Sequence, residues 1–411
     1  MKKIIISLLI GLFVIIAISI FTITIKFKNY KAKDISIAVD ESALNYFQES
    51  YEECRCKFIS TSLRMKENYP KIIINGLKIP GKMDDELTID YTYIPAKIES
   101  KTLLIISSGI HGVEGYTGSA VQLMVMEELL ENANLSNLGI LLIHGMNPYG
   151  FKNKLRFTEN NVDLNRNCSH NPKLYESKNQ GYTQLYDMLN PEGEVNTSDL
   201  KHVFFPLIGF AKIAKESIGV LRQAILQGQY EYPEGLYFGG ENLEPSIHAI
   251  TPVIHELSKD YEKVMNIDLH TGYGARGKLH LFPNPIEDKQ VKNDLGIIFE
   301  GYDIDWGDGD DFYTVTGDFT GYIGRIQPEK HYLPMLFEYG TMNSQTTLGS
   351  MKSIHNMILI NQAVQNGYAS EKDEAKIEDI FLEMYYPSSK LWRTKVINDS
   401  KEILKQVLVK L

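Results

Sequence analysis

Two continuous apolar runs separated by one helix-like segment set the strongest limit on how this chain folds. The runs are TLLIISSGI (102–110) and LGILLIHGM (138–146), and the segment between them, GSAVQLMVMEELLEN (118–132), repeats its apolar residues at helical intervals. Strands that are apolar on both faces are typical of sheets covered on both sides, and a strand–helix–strand unit connects parallel strands. Further strands are predicted at 263–272 and 332–341. The sequence therefore predicts an α/β domain built on a sheet with parallel strands.

Two other segments complete this outline. ELTIDYTYI (86–94) alternates between apolar and polar residues, which predicts a strand with one buried face and one exposed face. Residues from about 168 to 262 interrupt the strand–helix rhythm, and their most apolar part, HVFFPLIGFAKIAKESIGVLRQAIL (202–226), has helical periodicity. We therefore predict one domain at 34–411 that carries a helical insertion at about 168–262.

Near the N-terminus, residues 4–25 form a run of 22 residues without a charged side chain. A helix of that length crosses a bilayer core of ~30 Å, so residues 1–33 are predicted to form a transmembrane anchor. The apolar run continues through IFTITI, and no lipobox cysteine follows it, which favours an uncleaved signal over a removed signal peptide. Two lysines precede the run and four follow it, which by the positive-inside rule places the body in the cytoplasm. The MKK start is instead typical of an export signal, and we expect a single-pass protein of the cell membrane with its body on the outer face, or a secreted one if the signal is cleaved.

The charge of the remaining chain limits its partners. Residues 34–411 carry 36 basic and 52 acidic side chains, a net charge of −16. Such a body repels phosphate backbones, so no nucleic-acid partner is expected. Three cysteines are too few for a disulfide framework.

Three predicted strands end at side chains that bind metals or move protons. His111 and Glu114 follow the first apolar run, His270 ends the segment NIDLH, and Glu338 ends the segment PMLFE. The carboxyl ends of parallel strands meet at one rim of a sheet, where ligands bind in open α/β folds. Two histidines and a carboxylate are a typical ligand set for catalytic zinc, and a further carboxylate beside the metal can serve as general base. The glycines near His111 and Glu114 are expected to let a substrate approach the backbone.

A fourth segment, NPYGFKNKLRFTENNVDLNRNC (147–168), supplies cationic and amide side chains. Arg156 and Arg166 offer planar forks that grip carboxylates, and Asn165 adds a neutral donor. A hydrolase that acts on an amide next to a free carboxylate needs such a grip, together with a cation that stabilises the oxyanion. A structural ion pair between Arg166 and Asp163 is the alternative interpretation.

The motifs HGVE, VDLNRN, IDLHTG and FEYGT, in that order, resemble those of the zinc carboxypeptidase-like (M14) metallopeptidases. Within that clan the chain is most similar to the bacterial DUF2817 group, whose proteins carry a glycine-rich HGVEG.GSA stretch. The resemblance covers roughly 42–370, and VDLNRN is its most specific single motif. It implies an α/β fold with a mixed, largely parallel central sheet flanked by helices, and a zinc-dependent hydrolase of amide or peptide bonds.

The resemblance also implies a role for each site residue. His111, Glu114 and His270 become the ligands of one zinc ion per chain, and Glu338 becomes the general base that deprotonates the zinc-bound water. Arg156 polarises the scissile carbonyl and stabilises the oxyanion. The remaining two residues, Asn165 and Arg166, hold the carboxylate of a peptide or N-acyl amino acid substrate.

The substrate class stays open at the level of sequence. The peptidase branch carries a tyrosine over the substrate, and Tyr273, Tyr302 and Tyr313 are all candidates for it. Because none of them is singled out, an N-acyl amino acid deacylase of the aspartoacylase type is the main alternative. A non-catalytic binding module on the same fold is the second, although every expected site position is filled. A serine hydrolase is disfavoured because no G-x-S-x-G elbow surrounds the serines near His111.

Overall fold

The computed structural model describes residues 2–81, 87–131, 133–283, 285–307 and 315–411. The helices are α1 (Lys2–Lys28), α2 (Glu41–Leu44), α3 (Tyr51–Arg64), α4 (Gly115–Met124), α5 (Pro148–Lys152), α6 (Gln180–Thr183), α7 (Tyr186–Leu189), α8 (Leu200–Val203), α9 (Phe205–Glu216), α10 (Ile218–Leu226), α11 (Pro245–Ser258), α12 (Lys289–Ile298), α13 (Phe319–Arg325), α14 (Thr347–Asn366), α15 (Glu371–Tyr385) and α16 (Lys390–Lys410). The strands are β1 (Ile73–Lys78), β2 (Thr88–Ile94), β3 (Thr102–Ser108), β4 (Leu138–His144), β5 (Lys263–Gly272), β6 (Leu279–Phe282) and β7 (His331–Gly340).

The strands form one mixed sheet in the order β1-β2-β4-β3-β5-β7-β6. The four central strands, β4, β3, β5 and β7, run parallel, and the strands on either side of them pair antiparallel. Every residue of β3 and β4 is buried, as their continuous apolar runs predict. The predicted α/β fold, a mixed and largely parallel sheet flanked by helices, is confirmed.

Alternate side chains of β3 enter different cores. Leu104 and Ile106 pack into a core with α3, α4, α12 and α16, whereas Leu103 and Ile105 pack against α11 and α13. Because successive side chains of a strand point to opposite faces, two helical layers are needed to cover a strand of this composition. The parallel strands therefore expose only their ends, and their carboxyl ends form the rim that carries the site.

The prediction of a half-exposed strand at 86–94 was wrong for the part that the structure describes. Thr88, Asp90 and Thr92 are the polar residues of β2, and all three are buried. Helix α3 covers them and supplies polar partners: Arg55 forms an ion pair with Asp90 at 2.6 Å, and the hydroxyls of Ser62 and Thr92 lie 2.7 Å apart. The alternation is real, but a polar face is not an exposed face when a neighbouring helix satisfies its hydrogen bonds.

Residues 168–262, all of which the structure describes, contain helices α6 to α11 and no strand. The helical character predicted for this stretch matches the structure, while its status as an inserted unit stays a prediction. Its helices α9 and α10 pack against α14, which follows β7.

Helix α1 is long and apolar enough to cross a membrane. Within Ile4–Lys28, the most apolar 18-residue window has a mean hydropathy of 3.2, and none of that window is buried. At its end the environment changes, because Phe27 is buried against Phe205 of α9 and His355 of α14. The helix is thereby anchored to the domain through its last turn.

Candidate metal centre

The turn after β3 positions the first two site residues. Gly109 has a φ of +72°, and the chain then passes through His111 into the helical turn Gly112–Glu114, which leads into α4. The amides of Gly112 and Val113 donate to the carbonyls of Arg156 and Leu155. A side chain at Gly112 would collide with the backbone of Gly150 and Phe151 in α5. This glycine thus lets α5 and the segment that follows it pack closely on the turn.

His111, Glu114 and His270 converge. The Nδ1 atom of His111 lies 2.9 Å from Glu114 Oε1, and the Nδ1 atom of His270 lies 3.1 Å from Glu114 Oε2. The two Nδ1 atoms are 3.2 Å apart, and the three potential ligand atoms all lie within 4.8 Å of one another. Each side chain is at most 4% exposed. Two strand ends separated by 156 residues in sequence therefore present one buried cluster of electron-pair donors.

Two aspartates that the sequence analysis did not assign hold the histidine rings from behind. Asp268 Oδ2 lies 2.7 Å from His270 Nε2, and Asp163 Oδ1 lies 3.2 Å from His111 Nε2. A carboxylate only accepts, so Asp268 keeps the proton of the neutral His270 ring on Nε2 and leaves the Nδ1 lone pair facing Glu114. Asp268 precedes His270 by two residues on β5, so strand periodicity was a signal that could have identified it.

This donor set fits zinc. Two lone-pair nitrogens and a carboxylate repel one another unless a positive charge lies between them. Two ligands that are each ~2.1 Å from a tetrahedral zinc ion lie ~3.4 Å apart, close to the observed nitrogen separation. Burial raises the pKa of Glu114, but the rings of His111 and His270 outweigh it, and its pKa is held below the usual range. Burial likewise opposes charge on His270, yet Asp268 and Glu114 raise its pKa well above the usual value. The cluster therefore attracts positive charge strongly.

Glu338 lies beside this cluster on the neighbouring strand. The pairing of β5 with β7 places it opposite His270, and its Oε1 accepts a hydrogen bond from the amide of Tyr273 at 2.9 Å. Burial and the charge of Glu114 raise the pKa of Glu338 to about 8. Its carboxylate lines the same cavity as the three potential ligands.

Arg156 extends its guanidinium into the cluster. Nη1 lies 3.2 Å from Glu114 Oε1, Nη2 lies 3.1 Å from Asp163 Oδ2, and Nη2 is also 2.7 Å from His111 Nε2. The rings of Tyr237 and Tyr385 flank it, with centroids 5.5 and 5.9 Å from its Cζ. Burial disfavours the charged guanidinium, but Asp163 overcomes this and raises the pKa of Arg156 well above its usual value. A permanent cation therefore lines the cavity beside the three potential ligands.

Asn165 and Arg166 line the cavity from the helical turn Leu164–Arg166. The side-chain oxygen of Asn165 accepts from the amide of Phe319 at 2.9 Å. Arg166 donates from Nε to the carbonyl of Leu226 at 3.0 Å and from Nη1 to the carbonyl of Asn165 at 2.8 Å. The alternative ion pair with Asp163 does not match this structure, in which Asp163 pairs with Arg156.

All seven predicted site residues line one cavity of about 610 Å³. Of the candidate tyrosines, Tyr273 lines this cavity, Tyr302 lines a separate pocket near α16, and Tyr313 lies outside the described residues. The sequence analysis missed Tyr237 and Tyr385, which also line the cavity. Their positions depend on the packing of distant segments, and no local motif marks them.

Several solved structures are similar to this chain at low identity. A metallo-carboxypeptidase from Burkholderia cenocepacia is 12% identical with a TM-score of 0.38, and the match covers 77% of this chain and 70% of that one. Carboxypeptidase A from Helicoverpa armigera is 14% identical with a TM-score of 0.38, covering 82% and 73%. Bovine thrombin-activatable fibrinolysis inhibitor, in complex with tick carboxypeptidase inhibitor, is 14% identical with a TM-score of 0.39, covering 78% and 98%.

No curated protein matches the chain in sequence. A family match, in contrast, confirms the family that the sequence motifs predict. The family described as "Protein of unknown function (DUF2817)" matches residues 47–399, and the chain belongs to it.

Proposed function

We propose that this protein is a zinc-dependent hydrolase of amide bonds with carboxypeptidase-like specificity. The convergence of His111 Nδ1, His270 Nδ1 and the Glu114 carboxylate, each histidine backed by an aspartate, carries the proposal. Two histidines and one carboxylate leave an open coordination position, as catalytic zinc sites require. Zinc bound to these three residues would polarise a carbonyl oxygen and make a water molecule more acidic.

Glu338 and Arg156 then act on the substrate. A zinc ion held by Glu114 would offset the negative charge that raises the pKa of Glu338 and would favour its carboxylate form. That carboxylate accepts the proton of the attacking water as the water oxygen bonds to the carbonyl carbon, and it donates the proton to the amine nitrogen as the C–N bond breaks. Arg156, charged and held by Asp163, stabilises the negative charge that develops on the carbonyl oxygen. The products are a carboxylic acid and an amine, so atoms and protons balance without a further reactant.

Asn165 and Arg166 hold the free carboxylate of the substrate. Arg166 uses its Nε–H, one Nη1–H and one Nη2–H on backbone carbonyls. A guanidinium has five N–H donors, so two stay available for a carboxylate. The backbone contacts fix the orientation of the fork, which favours binding because less side-chain freedom is lost. The substrate is accordingly a peptide or an N-acyl amino acid with a free carboxylate.

Helix α1 supports a location at the cell membrane. Its length and exposed apolar surface suit a single span, and the MKK start favours a catalytic domain on the outer face. A protease added to intact cells would cleave the domain in that orientation and would spare it in the opposite one.

The proposal is tested on the full chain purified in detergent micelles. We expect about one zinc ion per chain and hydrolysis of members of a panel of peptides and N-acyl amino acids, lost with chelator and restored by zinc. Preference for peptides over N-acyl amino acids would support carboxypeptidase activity over the deacylase alternative. Bound zinc without turnover of any panel member would support a binding module instead, and a chain that neither binds zinc nor gains activity from it would refute the proposal.

A further inference from the structure

A second, smaller cavity opens beside the metal centre and is lined almost entirely by apolar side chains. Helices α9 and α10 supply Phe205, Ile213, Leu221 and Ile225, and α14 supplies Met351. Its free volume is about 60 Å³. A cavity needs ~10–15 Å³ measured this way to hold one water molecule, so this space exceeds the need of a single water. An apolar lining favours apolar groups over water.

The apolar cavity borders the cavity of the metal centre, and the two share part of their walls. Arg222, Leu226, Ser350 and Ile354 line both of them. Leu226 lies at the boundary between the two cavities. Its carbonyl accepts a hydrogen bond from the guanidinium of Arg166, and Leu226 also lines the apolar cavity. A molecule whose carboxylate binds Asn165 and Arg166 therefore has an apolar space within reach of the same site.

The wall of this cavity also contacts the end of the apolar helix α1. Phe205 lines the cavity, and its ring centroid lies 6.0 Å from that of Phe27 in the last turn of α1. The segment that runs from α8 into α9 also exposes large apolar side chains to solvent. These side chains are Leu200, Phe204, Ile208 and Phe210. An amphiphile dissolved in the membrane that α1 spans would meet this surface first.

We infer that the substrate carries an aliphatic chain, which occupies the cavity between α9, α10 and α14 while its head group lies at the metal centre. The substrate class is then an amphiphile, a fatty-acylated amino acid or peptide. This inference rests on the proposed amide hydrolysis, because the head group is assigned to the residues that perform it. Carboxylate recognition at Arg166 and chain recognition at Leu221 become two parts of one binding site.

The inference predicts a dependence on chain length. Each methylene that enters the cavity should raise kcat/KM about fourfold, which corresponds to ~0.8 kcal/mol per buried CH₂. The gain should stop after a few carbons, when the cavity is filled. The full chain in nanodiscs is assayed with acetyl, butanoyl, hexanoyl, octanoyl and decanoyl derivatives of one amino acid, with empty nanodiscs to correct for partitioning.

Leu221→Trp fills the cavity, and Val220→Trp is the matched control, because Val220 is 56% exposed on the same helix. We expect L221W to lower the ratio of octanoyl to acetyl kcat/KM at least tenfold, while V220W keeps the wild-type ratio. Equal rates across the chain lengths, or an L221W variant that keeps the octanoyl rate, would overturn the inference while acetyl hydrolysis leaves the proposed function intact.

A second measurement does not depend on turnover. A hexanoyl amino acid with a diazirine at the end of its chain is photolysed with the metal-stripped full chain, and the labelled peptides are mapped. Labels on α9, α10 and α14 support the inference. This result comes from the wild-type chain, so it is informative even when the L221W variant does not fold. Labels elsewhere in the domain contradict it. If these helices are labelled but no amide is hydrolysed after zinc is added, the proposed function fails and the apolar binding site stands.

Discussion

The molecule contains two pairs of neighbouring buried histidines, and they differ in almost every other respect. His111 and His270 have ring centroids 4.9 Å apart, and His202 and His355 have ring centroids 5.4 Å apart. All four side chains are largely buried, between 2% and 6% exposed. Burial and proximity alone would therefore nominate both pairs as metal sites.

Their neighbours separate them. The first pair is surrounded by carboxylates: Glu114 lies between the rings, and Asp163 and Asp268 lie behind them. In the second pair, His202 contacts the amide oxygen of Gln362, and neither ring nitrogen of His355 has a hydrogen-bond partner among the described residues.

The charge around the second pair also has the opposite sign. Burial lowers the pKa of His355 well below its usual value, and Lys352 and His202 lower it further. Burial also opposes charge on His270, but Asp268 and Glu114 outweigh it and raise the pKa of that ring well above its usual value. A site that receives a cation is thus recognised by carboxylates that orient the rings and offset positive charge, and a histidine pair without them packs as an apolar ring pair.

The largest effect is expected for His270→Ala. Removing one of three protein ligands should abolish stoichiometric zinc binding and with it the hydrolytic activity, since the remaining two side chains cannot hold the metal tightly. The fold should survive because the sheet positions the site independently of metal. Metal analysis and circular dichroism of the full chain in micelles measure both. His202→Ala is the matched control and should keep its zinc, and loss of zinc from this control would erase the distinction between the pairs.

Glu338→Gln should give the next largest effect. Glutamine keeps the size of the side chain but accepts no proton from the attacking water, and the loss of a positioned general base costs ~10²- to 10⁴-fold in rate. Zinc content should not change, because Glu338 is outside the three-residue cluster. The test combines kcat with metal analysis. A zinc-free E338Q protein would make Glu338 a ligand and Glu114 the better candidate for the base.

Much of this site could be predicted from sequence because its main residues lie at strand ends. The apolar runs locate β3, β5 and β7, and the rule that ligands bind at the carboxyl ends of parallel strands then brings His111, His270 and Glu338 together. Each step depends on a local pattern. Arg156 and Asn165 do not lie at strand ends. They were identified only from the segment 147–168, because the loops that carry them follow no periodic pattern.

What could not be predicted depends on contacts between distant segments. Tyr385 is held beside the cavity by a contact with a distant segment. Its carbonyl accepts a hydrogen bond from the hydroxyl of Thr271, which is 114 positions away. Asp90 was expected to face solvent, yet Arg55 of α3 covers it. Gly112 accommodates the backbone of Gly150 in α5, a contact that no sequence motif marks. In each case the deciding partner lies in another element, and a pattern within one segment carries no information about it.

Asp268→Asn should weaken zinc binding without abolishing it. Asparagine keeps a hydrogen bond to His270 Nε2 but removes the negative charge that makes the ring a better ligand, and the loss of such a partner costs ~10- to 100-fold in metal affinity. Competition with a chelator of known affinity measures it. The control is Asp294→Asn, because Asp294 also contacts a histidine, His331 at 2.8 Å, on a more exposed part of the chain. Equal zinc affinities of D268N and the wild type would contradict the claim that the carboxylate behind the ring strengthens metal binding.

The smallest effect is expected for His355→Phe, and it concerns stability. Because the folded state holds the pKa of His355 well below the ordinary ~6.5, the unfolded chain binds a proton that the folded chain does not. The wild type should therefore lose up to ~1.4 kcal/mol of stability per pH unit from this residue as pH falls below ~6.5, and none above it. His202, Lys352 and Lys376 face the same ring and depress its pKa further, and they remain in the variant. Thermal unfolding of the full chain between pH 7.5 and 5 should show a shallower acid decline for H355F, with unchanged zinc content at pH 7.5. An identical decline in both proteins would mean that His355 is not held neutral, and the second pair would then resemble the first in attracting charge.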